Sequence, residues 1–259
     1  RCPEDCKWCA QSAHYPSSVA TYPLVDRATC LDQAERNRRE GISRYSLVTS
    51  GRTLTGEALD TVVSYYTDLS ARGGLGLCAS LGLLDGEAMR RLRRAGVSRY
   101  HCNLETSRSH FPSLCSTHTQ AQKLTTIALA REAGMEICSG GIIGMGESPR
   151  QRIEFALDLR LVRPDSIPVN ILVPIPGTPL ANSAPLTDEE ILDTVAIFRL
   201  IHPKVALRFA GGRLNLSPQL QLRAMRMAVN GAIMGDMLTT SGPQIEADKK
   251  LVDEAGYKF

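Results

Sequence analysis

The run Arg1–Cys9, RCPEDCKWC, holds three cysteines in the spacing C-x3-C-x2-C. Three thiols on one short loop can converge on a single metal cluster, and iron–sulfur clusters are held by cysteine thiolates. A four-iron cluster with only three protein thiolates keeps one iron open for another molecule. Zinc sites more often show two CxxC pairs or a mixed cysteine and histidine set, and the chain has no second CxxC. We therefore interpret residues 1–12 as a cluster-binding loop with an open coordination position.

Outward from this loop, short apolar or β-branched runs alternate with longer helix-like runs, several of which end at a glycine. Repeated strand-then-helix units predict an α/β fold of the (β/α)8 TIM-type barrel, with residues 1–259 as one domain. Because the cysteine loop comes before the first recognisable strand, we expect an N-terminal strand to be missing from this sequence. The predicted strands are 44–49, 75–81, 99–104, 136–143, 167–173, 205–209 and 231–234, and the predicted helices are 30–39, 56–72, 85–95, 119–133, 149–160, 187–201 and 218–228.

The composition argues against several classes of protein. The chain has 259 residues that are 43% hydrophobic, enough for one large core, and a net charge of only +3. No dense basic stripe carries interleaved aromatics, so nucleic acid is not the expected partner. No apolar run approaches the roughly 20 residues of a membrane span, and no leader peptide is visible, so we expect a cytoplasmic protein. Its eight cysteines indicate metal ligands in a reducing compartment and not a disulfide framework.

Thiols and polar side chains interrupt most of the predicted strands. Burying such groups is costly unless they find partners. Each one alone is typical of an ordinary core residue, but barrel active sites form at the C-terminal ends of the strands. We therefore expect them to converge at one barrel mouth; they are Ser46, Cys78, Asn103, Glu105, Cys138, Asn170 and Arg208.

Four segments together resemble the biotin synthase family of radical S-adenosylmethionine (SAM) enzymes. The resemblance covers nearly the whole chain, and the combination is more specific than the cysteine triplet. It implies a sulfurtransferase that inserts sulfur into dethiobiotin after a 5'-deoxyadenosyl radical removes hydrogen, an electron donor such as flavodoxin or ferredoxin, and a homodimer. The segments are CPEDCKWCAQS at 2–12, CSGGIIGMGE at 138–147, PVNILV at 168–173 with GTPL at 177–180, and LTT at 238–240.

The resemblance implies a cofactor site for SAM. Glu105 stands where an aspartate is more familiar, and Lys123 where an arginine usually meets the SAM carboxylate. A lysine supplies charge there but no bidentate fork. The glycine-rich run 140–146 is expected to let backbone approach the cofactor closely. The implied roles are a 4Fe-4S cluster on Cys2, Cys6 and Cys9, ribose contacts from Asn103 and Glu105, carboxylate contact from Lys123, and adenine contacts from Trp8, Ile142 and Val173.

It also implies a substrate site. Asn170 would hydrogen-bond the ureido ring of dethiobiotin, and Thr239 with Thr240 would receive its carboxylate tail, within the closing part of the barrel at 205–245. His101 stands where a second asparagine is familiar. One nitrogen of a neutral imidazole cannot both donate and accept, so His101 would offer the ureido ring only one of these two roles.

The familiar relatives carry a second cluster, a 2Fe-2S group held by three strand cysteines and an arginine, which is their sulfur source. Cys78, Cys138 and Arg208 match three of these catalytic positions, but Ser46 occupies the fourth, and a hydroxyl is a poor iron ligand. Cys115 follows the strand 99–104 toward the same mouth. Our hypothesis is that Cys78, Cys115 and Cys138 hold an auxiliary four-iron cluster with an extra sulfide, with a 2Fe-2S cluster as the alternative.

Two other cysteines are not expected to bind a cluster. Cys102 competes as a ligand, but its side chain should point opposite to those of His101 and Asn103 on the same strand. Cys30 lies on a predicted helix and is interpreted as structural.

Two other functions stay open at this stage. One is another barrel enzyme of the radical SAM superfamily, such as a hydrogenase-cofactor maturase or a methylornithine synthase. The other is a non-catalytic metal-binding protein in which the cysteine loop only staples the fold. Cleavage of SAM and turnover of dethiobiotin separate the three.

Overall fold

A computed structural model describes residues 1–234 and 245–258 of the chain. Strands and helices alternate along it, with short 3-10 turns at Phe111–Ser113 and Arg213–Asn215. The strands are β1 Arg44–Val48, β2 Gly76–Ser80, β3 Val97–His101, β4 Glu136–Cys138, β5 Gly141–Ile143, β6 Ser166–Ile171, β7 Ala206–Phe209 and β8 Gly231–Ala232. The helices are α1 Arg27–Arg39, α2 Gly56–Arg72, α3 Gly86–Arg94, α4 Gln120–Glu132, α5 Pro149–Val162, α6 Asp188–Ile201, α7 Pro218–Met227 and α8 Ile245–Glu254.

All the strand pairs are parallel, and the sheet follows chain order: β1-β2-β3-β4-β6-β7-β8, with β5 also paired to β6. In the described residues β1 and β8 are its two edges. Side chains from β1, β3, β6 and β7 line one common cavity, so the sheet curls as part of a barrel. The predicted α/β barrel class is confirmed in this form.

The helix starts follow signals that are readable in the sequence. Thr119, Ser148 and Thr187 each cap a helix and form a capping box with the Gln or Glu three residues later. Pro149 and Pro218 occupy first-turn positions, where a missing N–H costs nothing. These local signals explain why the predicted helices lie within a few residues of those found.

The predicted strand 136–143 is interrupted and forms the separate strands β4 and β5. A Cβ at Gly140 would lie 2.0 Å from the carbonyl oxygen of Pro168, and one at Gly141 would lie 2.1 Å from that of Glu105. Only glycine permits these approaches. We expected the glycines to approach a cofactor, but at these two positions the close neighbour is the protein's own backbone.

One cluster of buried apolar residues lies between the sheet and the helices, and its members occur along the chain from Cys30 to Val229. Tyr66 and Tyr100 are almost fully buried in it, and their hydroxyls donate to the carbonyl oxygens of Cys78 and Gly82. The polar tips of these rings are therefore satisfied inside the core. Within residues 1–234 and 245–258, no helix is long and apolar enough to cross a membrane.

The stability of the α5–α6 contact should depend on pH through His202. This buried residue ends α6, and its Nε2 lies 2.8 Å from the carbonyl oxygen of Ala156. Burial lowers the pKa of His202 below its ordinary 6.5, so the unfolded chain binds the proton more readily. We expect the unfolding free energy to keep its full value above pH 6.5. As the pH drops below 6.5, it should fall by no more than about 1 kcal/mol. Urea titrations of His202→Gln should lack this component.

Candidate active site

The first cysteine loop is folded by its own backbone and fastened to the segment after β3. The N–H of Cys2 donates to the carbonyl oxygen of Gln11 at 2.8 Å, and that of Cys9 donates to Cys6 at 3.0 Å. The N–H of Lys7 donates to the carbonyl oxygen of Leu114 at 3.0 Å. These bonds hold the three cysteines on one closed turn.

Asp5 also links these two segments. Its Oδ1 accepts from the backbone N–H groups of Ser116 at 2.9 Å and Thr117 at 3.2 Å, and its Oδ2 accepts from the Ser116 hydroxyl. Burial would raise the pKa of Asp5, but these hydrogen bonds outweigh it and hold the pKa well below its usual range. The carboxylate is thus a fixed anchor between the cysteine loop and residues 115–117.

The aromatic side chain before Cys9 also faces the cavity. Trp8 packs edge-on against Phe111, with ring centroids 6.4 Å apart and an interplanar angle of 66°. Both Trp8 and Cys9 line the cavity, which has a volume of about 2020 Å³. Ile142 and Val173, the other predicted adenine contacts, line the same cavity.

Asn103, Glu105 and Lys123 form a connected polar chain beside this loop. Glu105 has φ +73°, a conformation that non-glycine residues rarely adopt, and its backbone bonds to Gly140 and Ile142 hold it there. Lys123 Nζ lies 3.7 Å from Glu105 Oε1. Burial alone would lower the pKa of Lys123, but Glu105 and Cys102 outweigh it and raise the pKa. Lys123, the predicted contact for the SAM carboxylate, therefore has a half-buried carboxylate partner.

Cys78 on β2 and Cys138 on β4 lie on the two strands that flank β3. Cys138 pairs with His101 across β3 and β4, while Cys78 pairs with Ser46 across β1 and β2. Both thiols are buried. Arg208 reaches across from β7, and its Nη2 donates to Cys138 Sγ at 3.0 Å. The predicted convergence of these strand residues is found.

The surroundings of both thiols favour the thiolate form. Burial raises the pKa of Cys138, but the His101 imidazole and then the Arg208 guanidinium outweigh it, so the pKa falls below its ordinary value. The same imidazole, with Arg44, lowers the pKa of Cys78 against the effect of burial. Burial would lower the pKa of His101 itself, and the thiols of Cys138 and Cys78 raise it. The thiolate is the form that binds metals.

Several polar atoms around these thiols are buried without any hydrogen-bond partner. They are Ser46 Oγ, His101 Nε2 and Arg208 Nε. Unsatisfied buried polar atoms are rare in folded proteins. Their concentration beside two thiols fits a further group that binds between these strands.

The predicted grouping of Cys115 with Cys78 and Cys138 is wrong. Cys115 Sγ lies 3.7 Å from Cys6 Sγ and 3.2 Å from His118 Nδ1, and it has no contact with either strand cysteine. The reason is the 3-10 turn Phe111–Ser113, which folds the segment after β3 back onto the cysteine loop.

The other two cysteines behave as expected. Cys102 is buried in the core, with its Sγ 3.9 Å from the carbonyl oxygen of Lys123, away from the strand thiols. Cys30 is fully buried and lies 4.0 Å from the Tyr45 hydroxyl.

The predicted substrate residues are only partly described. Asn170 lines the cavity, and its amide already donates to the carbonyl oxygen of Gly141 at 2.9 Å and accepts from Gly211 N–H at 2.8 Å. One amide hydrogen and one lone pair stay available to a ligand. His101 also lines the cavity. Thr239 and Thr240 lie outside the described residues.

Comparison with known proteins identifies the family. Residues 1–159 match the Radical SAM superfamily, and residues 168–258 match the Biotin and Thiamin Synthesis associated domain. A biotin synthase from Porphyromonas gingivalis is 53% identical over 99% of this chain and 78% of its own length. The biotin synthase family includes this chain. A biotin synthase from Clostridium perfringens is 45% identical over 100% of this chain and 81% of its own.

Solved structures show the same fold at much lower identity. A methylornithine synthase superimposes with a TM-score of 0.80 and 17% identity, covering 99% of this chain and 79% of its own. A maturase of the FeFe-hydrogenase superimposes with a TM-score of 0.79 and 16% identity, covering 99% of this chain and 61% of its own. At such identities the likeness concerns the fold alone. Sequence identity therefore favours biotin synthase over these two alternative enzymes.

Membership of the biotin synthase family makes this chain a radical SAM enzyme, and that superfamily implies a 4Fe-4S cluster and SAM. The residues present fit both groups. Cys2, Cys6 and Cys9 are free thiols on one turn, and Cys9 opens onto the cavity. Glu105 and Asn103 line the same cavity and offer acceptors for hydroxyl groups.

Two arginines of the site were missed by the sequence reasoning. Arg44 Nη1 lies 3.8 Å from Cys78 Sγ while its Nη2 bonds Glu136 at 2.8 Å. Arg99 pairs with the same carboxylate at 2.8 Å. The available signal was a charged residue two positions before Ser46, because residues i and i+2 of a strand share a face.

Replacing Lys123 should weaken SAM binding more than it slows the reaction. In Lys123→Met a mostly buried Glu105 carboxylate loses its cation, and the predicted cationic contact for SAM is lost with it. We expect the KM for SAM to rise about tenfold or more, while Lys123→Arg keeps the charge and recovers most of the loss. SAM titrations of 5'-deoxyadenosine formation measure this, and an unchanged KM in Lys123→Met contradicts the assigned contact.

Proposed function

We propose that this chain converts dethiobiotin to biotin by inserting sulfur from an auxiliary iron–sulfur cluster held at Cys78 and Cys138. The observation that carries this proposal is the group of unpartnered buried polar atoms around two thiols with lowered pKa values. Several of these residues line the same cavity as Cys9 and Trp8 of the first loop. A substrate in this cavity would lie between the two cysteine groups.

The bound 4Fe-4S cluster and SAM would supply the one-electron chemistry that breaks unactivated C–H bonds, which no side-chain acid or base can deprotonate. The chain's own residues bind and orient. Cys2, Cys6 and Cys9 would hold the cluster, Trp8 with Ile142 and Val173 would flank the adenine, and Asn103, Glu105 and Lys123 would position the rest of SAM. Asn170 would offer its remaining amide hydrogen and lone pair to the ureido ring, with Thr239 and Thr240 at the tail.

The donor set for the auxiliary cluster differs from the three-thiol set that the sequence suggested. Among the described residues that face this site, the thiols are Cys78 and Cys138. The unpaired Nε2 of His101 and the Arg208 guanidinium complete the donors that face them. A Cβ at Gly231 would lie 2.9 Å from Arg208 Cγ, so this glycine leaves room for the arginine to reach Cys138. We place the sulfur donor within this set.

Iron and sulfide analysis with Mössbauer spectra of anaerobically purified protein decides the form of the auxiliary cluster. About eight irons in four-iron environments, with sulfide in excess of iron, support a four-iron cluster with an extra sulfide, whereas about six irons with a 2Fe-2S component support the smaller cluster. About four irons, lost together in Cys6→Ser, would mean that no auxiliary cluster forms.

Turnover of dethiobiotin tests the function. Protein with rebuilt clusters, reduced by flavodoxin or ferredoxin and given SAM, should form both 5'-deoxyadenosine and biotin. Cleavage of SAM without biotin would indicate another radical SAM reaction. No cleavage of SAM would indicate a metal-binding protein. The proposed homodimer is checked by sedimentation of the same preparation.

A further inference from the structure

A third group of metal-ligand side chains joins the first cysteine loop to the segment after β3. The sulfur atoms of Cys6 and Cys115 and a ring nitrogen of His118 all lie within 4.8 Å of one another. The two sulfurs are 3.7 Å apart, and Cys115 Sγ is 3.2 Å from Nδ1 and 3.9 Å from Nε2 of His118. All three side chains are buried.

The spacing of the two sulfurs fits one shared ion. A zinc–sulfur distance of about 2.3 Å in a tetrahedral site places two thiolates about 3.8 Å apart, close to the observed separation. In a four-iron cluster each thiolate binds a different iron, so the cluster on the first loop does not require a second thiol this close to Cys6. Thiolate and imidazole together favour zinc and iron over magnesium or calcium.

The Glu4 carboxylate holds the histidine at Nδ1, which is also the ring nitrogen nearer to Cys115 Sγ. Glu4 Oε2 lies 2.7 Å from His118 Nδ1, and Arg52 Nη1 bonds Glu4 Oε1 at 2.9 Å. Histidine ligands usually donate their second ring N–H to such a carboxylate, which fixes the tautomer. With the Nδ1 proton directed to Glu4, the Nε2 lone pair is left for an ion.

We propose that Cys6, Cys115 and His118 bind a single divalent cation, iron(II) or zinc(II), when the first four-iron cluster is absent. The ion displaces the two thiol protons to solvent and leaves one coordination position open. Because Cys6 belongs to both sites, this ion and the cluster exclude each other. Bound iron(II) is therefore retained beside the loop before cluster assembly, and bound zinc(II) blocks assembly.

Cobalt(II) titration of the metal-free, reduced chain tests the site without any turnover. The background variant Cys2→Ser/Cys9→Ser/Cys78→Ser/Cys138→Ser removes the other thiols of the loop and the two strand thiols, which could bind cobalt(II) themselves. It should still bind one cobalt(II) with a sulfur-to-metal charge-transfer band. Adding Cys115→Ser or His118→Ala should weaken this binding by about 10- to 100-fold or more, and adding Cys30→Ser, a buried cysteine elsewhere, should not change it.

Loss of the cobalt band in this background variant would overturn the proposal, as would a band that Cys115→Ser leaves intact in it. Iron(II) or zinc(II) should bleach the band in competition, and failure of both would also overturn it. Far-UV circular dichroism of each variant separates lost ligands from lost folding. Biotin formation plays no part in these readouts, so they are independent of the proposed function.

Discussion

Cys138→Ala should lower biotin formation by at least about 100-fold while the chain still cleaves SAM. Changes in residues that only support a metal ligand already cost about 10- to 100-fold, and we propose Cys138 as a direct ligand. Its thiol is buried, it has a lowered pKa, and it accepts from Arg208. The iron content should fall only by the irons of the auxiliary cluster. Quantifying biotin and 5'-deoxyadenosine in the same reaction separates the two cysteine groups.

Cys30→Ala is the matched control for this prediction. It also removes a fully buried thiol, but Cys30 lies on α1 and contacts Tyr45, far in sequence from both cysteine groups. We expect its iron content and product ratio to stay unchanged. If Cys138→Ala kept the iron content and biotin yield of the parent, Cys138 would not hold the sulfur donor.

Asp248→Asn should lower the unfolding free energy by about 3 to 5 kcal/mol, the usual cost of breaking a buried ion pair. Asp248 on α8 meets Arg213 in a bidentate pair, with bonds of 2.6 and 2.7 Å, and both side chains are almost fully buried. The substitution leaves the guanidinium without its counter-charge. Urea unfolding followed by circular dichroism measures the change.

Glu246→Gln on the same helix serves as the comparison. Its carboxylate is largely exposed and pairs with Lys249, so its loss should cost less than about 1 kcal/mol. Similar losses of stability in the two variants would mean that burial of the Arg213 pair is not what fastens α8 to the rest of the fold.

Sequence patterns predicted the parts of this fold that depend on neighbouring residues. Helix α2 was predicted at its observed bounds, Gly56–Arg72, and the capped helices lie within a few residues of their predictions. The strand cysteines could be assigned to one mouth because parallel strands present their C-terminal ends on the same side. These signals are local, or follow from strand alternation.

The features that were missed depend on contacts distant in sequence. Cys115 lies 109 positions after Cys6 and meets it because a short turn after β3 folds back onto the first loop, which no local pattern encodes. The pair Arg213–Asp248 spans 35 positions, and α8 was not predicted at all. The break between β4 and β5 follows from backbone approaches to Pro168 and Glu105, which only the folded sheet reveals.

A single turnover of dethiobiotin, using protein whose clusters were rebuilt with isotopically heavy sulfide, tests the source of the sulfur most directly. Sulfur held at Cys78 and Cys138 predicts biotin that carries the heavy isotope from the parent chain and no biotin from Cys138→Ala. Biotin with sulfur of natural isotopic composition, or heavy biotin from Cys138→Ala at the parent yield, would contradict the assignment.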